Sequence, residues 1–156
     1  MRTTLALVFS LILGLPSAAQ DVVAAQTLTA TDAVDGVAAL VPLDAAGLNI
    51  DDFLWVSMLI VVFADTYADP RLREQLRLLA DRPQPLLDRD VVIIVDTDPA
   101  ARSEIRQSLR PLGFGLVIIG KDGSVGLRRP SPRDVREIIR GIDNMPLRIE
   151  EIRRAE

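Results

Sequence analysis

Residues 55–64 read Trp-Val-Ser-Met-Leu-Ile-Val-Val-Phe-Ala, an almost unbroken apolar run rich in β-branched side chains. Such a run predicts a central strand that is covered on both faces of a sheet. A polar loop at 65–69 follows, and leucines at helical spacing then predict a helix that ends near Asp81. We expect Asp69 to cap this helix and Pro70 to begin it, because a carboxylate accepts free backbone N–H groups and proline has none to lose.

The same strand–loop–helix pattern repeats further along the chain. Residues 90–95 read Asp-Val-Val-Ile-Ile-Val and predict a second buried strand. Asp98 and Pro99 are expected to cap and begin a second helix, as Asp69 and Pro70 do in the first repeat. Ahead of the first strand, residues 48–54 predict one short turn of helix.

A β-hairpin is predicted after the second helix. Its strands are expected at 114–119 and 124–129, joined by the tight turn Gly-Lys-Asp-Gly at 120–123. Only Val125 and Leu127 of the last strand are expected to point inward, which is typical of a strand at a sheet edge.

The order of elements defines the expected fold. A third helix is expected to open at Ser131-Pro132 and must stop before Pro146. The order is then β-α-β-α-β-β-α, with the first two strands parallel and the last two antiparallel. It predicts an α/β, thioredoxin-like domain with a central mixed sheet of about four strands and helices on both faces. A ferredoxin-like sandwich is the nearest alternative, but its hairpin comes earlier in the chain.

The N-terminal part of the chain differs in composition from the predicted domain. A positive start at Arg2, an apolar run and small residues up to Ala19 predict a signal peptide at 1–19. The run is shorter than the roughly 20 residues that a membrane anchor needs, so we expect export to the periplasm without stable membrane insertion. Residues 20–40 predict a flexible acidic arm or linker, and 41–156 the thioredoxin-like domain.

The composition excludes several kinds of chemistry. The chain has no cysteine and no histidine, so thiol exchange, thiol peroxidase and imidazole chemistry are excluded for it acting alone. The formal net charge is −4, and the loss of Arg2 with a signal peptide would make it −5. Such a mildly acidic chain is not expected to bind nucleic acid.

Several short motifs resemble those of a known family. They are Asp52-Phe-Leu-Trp55, Arg89-Asp90, Lys121-Asp122-Gly123 and Ile142-Asp-Asn-Met-Pro-Leu-Arg148. On these motifs, residues 41–154 resemble the uncharacterised bacterial domain-of-unknown-function family that also appears in vertebrate sushi-repeat-containing extracellular proteins. The resemblance implies a thioredoxin-like fold, comparable with peroxiredoxins, and no established activity. Met58 stands where similar members usually carry a basic residue, so an anion site that depends on that charge is not expected.

The loop after the first strand is the first candidate site. Thioredoxin-like enzymes carry their reactive cysteines there, whereas this chain has Asp65, Thr66 and Tyr67. We therefore expect no catalytic residue and no cofactor, and a loop whose side chains face a ligand. Asp96, after the second strand, is expected at the same sheet edge. Lys121, the single lysine, is a further ligand-facing candidate, although a turn lysine is more often simply solvated.

Three alternatives concern other polar clusters. Asp65, Asp69, Asp96 and Asp98 could together hold Ca²⁺ or Mg²⁺, but helix capping already explains two of them, so no metal site is predicted. Trp55 is expected to anchor the core, and Tyr67 to be exposed. A basic stretch around the third helix is expected to be a solvated face of mixed charge rather than an anion site, and comprises Arg128, Arg129, Arg133, Arg136 and Arg140.

The sequence thus predicts an exported, non-catalytic module that binds a small molecule or a protein partner. A non-thiol enzyme of peroxiredoxin-like descent, using carboxylate or Tyr67 chemistry, is one alternative. A structural partner in an envelope complex, using the acidic arm, is another.

Overall fold

The computed structural model describes residues 33–34, 37–38 and 40–155. The predicted signal peptide at 1–19 lies outside the described residues and stays a prediction. Within the predicted arm, strands β1 (Ala33–Val34) and β2 (Val37–Ala38) pair antiparallel.

A five-stranded mixed sheet forms the centre of the domain. Its strands are β3 (Leu43–Asp44), β4 (Met58–Phe63), β5 (Val91–Asp96), β6 (Gly115–Ile119) and β7 (Val125–Arg129). They lie in the order β3-β5-β4-β6-β7, with β5 parallel to β3 and β4, and with β6 antiparallel to β4 and β7. The predicted directions and the edge position of β7 are confirmed. Strand β3 is not predicted from the sequence, because two residues are too few to show an alternating pattern.

Helices cover both faces of the sheet. They are α1 (Pro70–Ala80), α2 (Gln84–Leu87), α3 (Glu104–Leu109), α4 (Val135–Asp143) and α5 (Pro146–Ala155), together with a 3-10 turn at Ile50–Phe53. The predicted turn at 48–54 is confirmed. Among the helices of the described residues, none has the length and apolarity to cross a membrane.

Strand β4 separates two apolar cores. Met58, Ile60 and Val62 point to the core that packs against α1, α2 and α4. Leu59 and Val61 point to the other core, beneath α3 and the 3-10 turn. Because alternate residues of a strand face opposite sides, an all-apolar strand is what two covered faces require.

Two expectations about the first strand and the last strand were wrong. The first strand begins at Met58, because the backbone turns at Trp55, which has a φ of 63° and donates its N–H to the Lys121 carbonyl. Trp55 is therefore 70% exposed and does not anchor the core. Val125 is 43% exposed rather than inward, since a register shift leaves Gly126 without a partner opposite it in β6.

The third predicted helix begins later than expected, and an unpredicted helix follows it. Asp134, rather than Ser131, caps α4, and its side chain accepts the Glu137 N–H at 2.8 Å. Helical structure stops near Pro146 as expected, but the proline then begins α5, because it fits the first turn of a new helix.

Candidate functional site

The loop at 65–69 connects β4 to α1 and is exposed over most of its length. A compact turn shapes it: Thr66 accepts the Ala68 N–H through Oγ1 at 3.0 Å and the Asp69 N–H through its carbonyl at 3.2 Å. Asp65 and Thr66 are exposed, and Tyr67 is 69% exposed. The loop thus presents carboxylate, hydroxyl and phenol groups to solvent.

The N-terminus of α1 is occupied by the chain's own carboxylate. Asp69 accepts the Arg71 N–H at 2.8 Å and forms an ion pair with the Arg71 guanidinium, also at 2.8 Å. The hydrogen bond from the Arg71 side chain, followed by that from its backbone, lowers the pKa of Asp69. Asp69 and Pro70 cap and begin the helix as predicted. Because this helix end already carries an anion, it offers little to an anionic ligand.

A second loop lies beside the first. A Cβ atom added at Gly113 would lie 3.5 Å from Asp65 Oδ2, so the two loops are in contact. Leu112, next to this glycine, is 96% exposed. We call the surface formed by residues 65–69 and 111–113 the carboxyl-end face, because it lies where β4 ends. Arg71 lies in the first turn of α1, and its guanidinium is 5.2 Å from the centre of the Phe114 ring.

Asp96 is held in a buried network and is not exposed beside the loop at 65–69. Its side chain is 4% exposed and forms an ion pair with Arg106 at 2.7 Å. It also accepts the Ser103 hydroxyl. Arg106 donates in addition to the backbone carbonyls of Ala64 and Asp96, at 3.0 and 3.1 Å, and so ties the ends of β4 and β5 together. The role of Arg106 is not predicted from the sequence, because a separation of ten residues from Asp96 matches no known motif.

Lys121 lies at the opposite end of the sheet from the loop at 65–69. It follows β6, whose last residue, Ile119, pairs with Leu59 near the start of β4. Its ammonium group forms an ion pair with Asp90 at 2.8 Å, and its side chain is 19% exposed. The structure therefore brings Asp65, Thr66 and Tyr67 together, but not Lys121.

The motifs that carry the family resemblance meet at this opposite end. Arg89 donates two hydrogen bonds to the Asp143 carboxylate, at 2.9 and 2.8 Å. Arg148 lies 3.9 Å from the same carboxylate, and Lys121 pairs with Asp90. The charged residues of three motifs are thus paired with one another, and we interpret them as fixing the fold at the amino ends of β4 and β5.

The alternative clusters are dispersed in the structure. Asp98 accepts the Ala100 and Ala101 N–H groups, at 2.9 and 3.2 Å, and Asp69 accepts that of Arg71. Across the described part of the chain, no three carboxylates come together as a metal site would require. Met58 is 4% exposed and packs in the core.

The prediction that the basic stretch around the third helix is a face of mixed charge is confirmed only in part. Arg133 and Glu137 form the expected ion pair at 3.4 Å. Arg128 donates to the Leu109 carbonyl at 2.7 Å. The other four arginines of the stretch have no carboxylate partner among the described residues: Arg128, Arg129, Arg136 and Arg140.

The sheet order, the parallel β4–β5 pair and the helices on both faces define a thioredoxin-like α/β protein. A solved structure of the same kind is the reduced 2-Cys peroxiredoxin of Plasmodium vivax, with a TM-score of 0.51 and 14% identity over 62% of this chain and 81% of that one. Desulfothioredoxin from Desulfovibrio vulgaris Hildenborough has a TM-score of 0.48 and 21% identity over 69% of this chain and 99% of that one. At such identities the likeness concerns the fold alone.

The family follows from the sequence match. A family model described as "Domain of unknown function (DUF4174)" matches residues 49–151, which is more than half of the chain. The protein belongs to this family. No curated protein sequence matches it.

Proposed function

We propose that this protein is an exported, non-catalytic module that binds a protein partner through the carboxyl-end face. One observation carries the proposal: where a thioredoxin-like fold displays its redox thiols, this chain displays the exposed side chains of Tyr67 and Leu112 on two touching loops. Exposed aromatic and apolar side chains that are held by short loops are the usual anchors of protein interfaces.

The shape and charge of this face favour a protein over a small molecule. The depression beside α1 is open to solvent, and its lining residues are Asp65, Thr66, Ala68, Asp69, Pro70 and Arg71. Two of its charged groups, Asp69 and Arg71, already form an ion pair with each other. Small-molecule sites, in contrast, are enclosed enough to bury most of the ligand's surface.

Capture of the partner with matched variants tests this face. The immobilised protein, Tyr67→Ala/Leu112→Ala and Ile149→Ala/Ile152→Ala should be compared as baits in an extract of the cell envelope, with bound proteins quantified by mass spectrometry. The control pair is also exposed, by 41% and 38%, but lies on α5. We expect a partner that both the parent and the control retain and that the Tyr67/Leu112 variant loses by about tenfold or more.

Equal capture by all three baits would contradict a role for the carboxyl-end face. A third variant, Trp55→Ala/Val56→Ala, removes the exposed apolar pair at the other end of β4, 70% and 67% exposed. Loss of the partner from this variant alone would move the interface to that end and refute the proposal.

The export part of the proposal rests on the apolar run and the small residues before Gln20. In a cell that secretes proteins, the processed chain should begin at Gln20 and be found in the periplasm. Intact-mass measurement of the periplasmic and cytosolic fractions checks this. A chain that retains Met1 and stays in the cytosol would contradict it.

A further inference from the structure

A second concave surface lies between the edge strand β7 and helix α4. This groove encloses about 780 Å³ and is lined by residues of β7, of α4 and of the start of α5. Its volume falls within the range of roughly 300–1,000 Å³ that is usual for small-molecule sites. We call it the β7–α4 groove.

The charge of the groove is positive although the chain is acidic overall. Arg129 from β7 and Arg140 from α4 both line it. Among the described residues neither has a carboxylate partner; Arg129 donates to the Arg128 carbonyl at 3.0 Å and Arg140 to the Arg136 carbonyl at 3.4 Å. The groove's one carboxylate, Glu137, is paired with Arg133 on its own helix. Two cationic groups from separate elements are therefore left to a ligand, in a chain of net charge −4.

The groove also has an apolar side. Met145 is buried against the backbone of β7, and a Cβ atom added at Gly126 would lie 2.6 Å from Met145 Cε. Glycine at this position therefore allows the methionine to form the floor of the groove. Val125 and Leu127 flank this floor, and Val125 is 43% exposed. The apolar surface thus adjoins the strand that carries Arg129.

We propose that the β7–α4 groove binds a small amphiphilic anion. Arg129 and Arg140 hold its carboxylate or phosphate group, and its apolar body lies over Val125, Leu127 and Met145. The N-terminus of α5, at Pro146 in the groove wall, adds positive potential.

An added peptide strand is a poorer fit to the same surface. Ile118 of β6 pairs with Leu127, and the next residue, Ile119, pairs with Val125, so that Gly126 forms a bulge in β7. A bulge interrupts the regular row of backbone groups that a new strand would need. The groove therefore favours recognition by side chains, which a small molecule can use.

Titration with octanoate, followed by amide-resolved NMR, tests the proposal. Octanol and inorganic phosphate serve as the apolar half and the anionic half of the probe. We expect octanoate to bind about tenfold or more tightly than either, with shifts confined to β7, α4 and the start of α5. Arg129→Gln/Arg140→Gln should weaken octanoate binding by about tenfold or more.

Two further variants keep the test decisive. Arg136→Gln removes an exposed arginine of α4 that does not line the groove, and its octanoate affinity should equal that of the parent. Val125→Glu leaves both arginines in place but adds a negative charge to the groove, and should weaken octanoate binding. The proposal is overturned if Arg129→Gln/Arg140→Gln binds as the parent does, if octanol or phosphate binds as tightly as octanoate, or if the shifts lie elsewhere.

Discussion

Two Asp-Pro segments of this chain follow neighbouring parallel strands and yet fold differently. After β4, Asp69 caps α1 and Pro70 begins it. After β5, Asp98 closes a turn on the N–H groups of Ala100 and Ala101, and α3 begins only at Glu104, capped by Ser103. The same local signal therefore begins a helix in one place and a turn in the other.

We attribute the difference to the contacts of Arg106 with Asp96 and Ala64. Arg106 lies in the first turn of α3, and its guanidinium must reach the Asp96 side chain and the Ala64 carbonyl. A helix that began at Pro99 would already have completed about two turns at this residue. The turn between Pro99 and Ser103 carries a local conformational cost, because Arg102 takes a φ of 49°, which is unfavourable for residues other than glycine. The buried ion pair thus outweighs the capping signal.

Removal of this buried pair should have the largest effect on stability. Arg106→Ala leaves Asp96 charged and 4% exposed without its partner, so we expect a loss of about 3–5 kcal/mol in the free energy of unfolding. Urea denaturation measures it. Arg77→Ala, which breaks exposed pairs with Glu74 and Asp81, should change stability little and is the matched control.

A double variant separates the pair from its surroundings. Asp96→Ala/Arg106→Ala should lose less than the sum of the two single losses, because no unpaired charge remains buried. If Arg106→Ala is no more destabilising than Arg77→Ala, the network does not decide where α3 begins.

The fold could be predicted from the sequence where burial dictates the residue type. Strand β4 is apolar throughout and β5 is apolar up to its last residue, Asp96, because both faces are covered. This pattern predicts the two strands, and the helix between them predicts their parallel direction. The expectation that Trp55 anchors the core was wrong for a physical reason. Its exposure follows from a left-handed backbone and from a hydrogen bond to Lys121, which is 66 residues away in sequence. No local pattern reveals such a contact. Two-residue strands such as β3 carry no readable period.

The candidate site was predictable in part. The order of elements placed Asp65, Thr66 and Tyr67 in one exposed loop, because that loop follows the first strand in any thioredoxin-like chain. The sequence also predicts Asp96 and Lys121 to face a ligand, but in the structure their side chains form ion pairs with Arg106 and Asp90. Both side chains are held by partners that lie elsewhere in the sequence, and the spacing of residues does not reveal such partners.

The two Asp-Pro segments should also differ, by a smaller amount, when each aspartate is replaced. Asp69→Ala leaves the first N–H groups of α1 without an acceptor, so we expect a measurable loss of stability, about a third or less of that of Arg106→Ala. Asp98→Ala removes two hydrogen bonds of an exposed turn, whose N–H groups can bond to water instead, and should cost less still. Urea denaturation of both variants at pH 7 makes the comparison. Equal losses would mean that capping does not distinguish the segments.

The pH dependence isolates the charge of Asp69 from its capping role. Because Arg71 lowers the pKa of Asp69 in the folded chain, the charge stabilises the fold above the ordinary pKa of 3.8, and this stability is lost as the pH falls through the lower folded value. Asp69→Asn retains a capping acceptor but does not titrate. The stability difference between the parent and Asp69→Asn should therefore be constant from pH 7 to about 5 and should shrink below about 4. Glu74 and Asp122, whose pKa values are also lowered by hydrogen bonds, are present in both proteins, so their titration cancels in the difference.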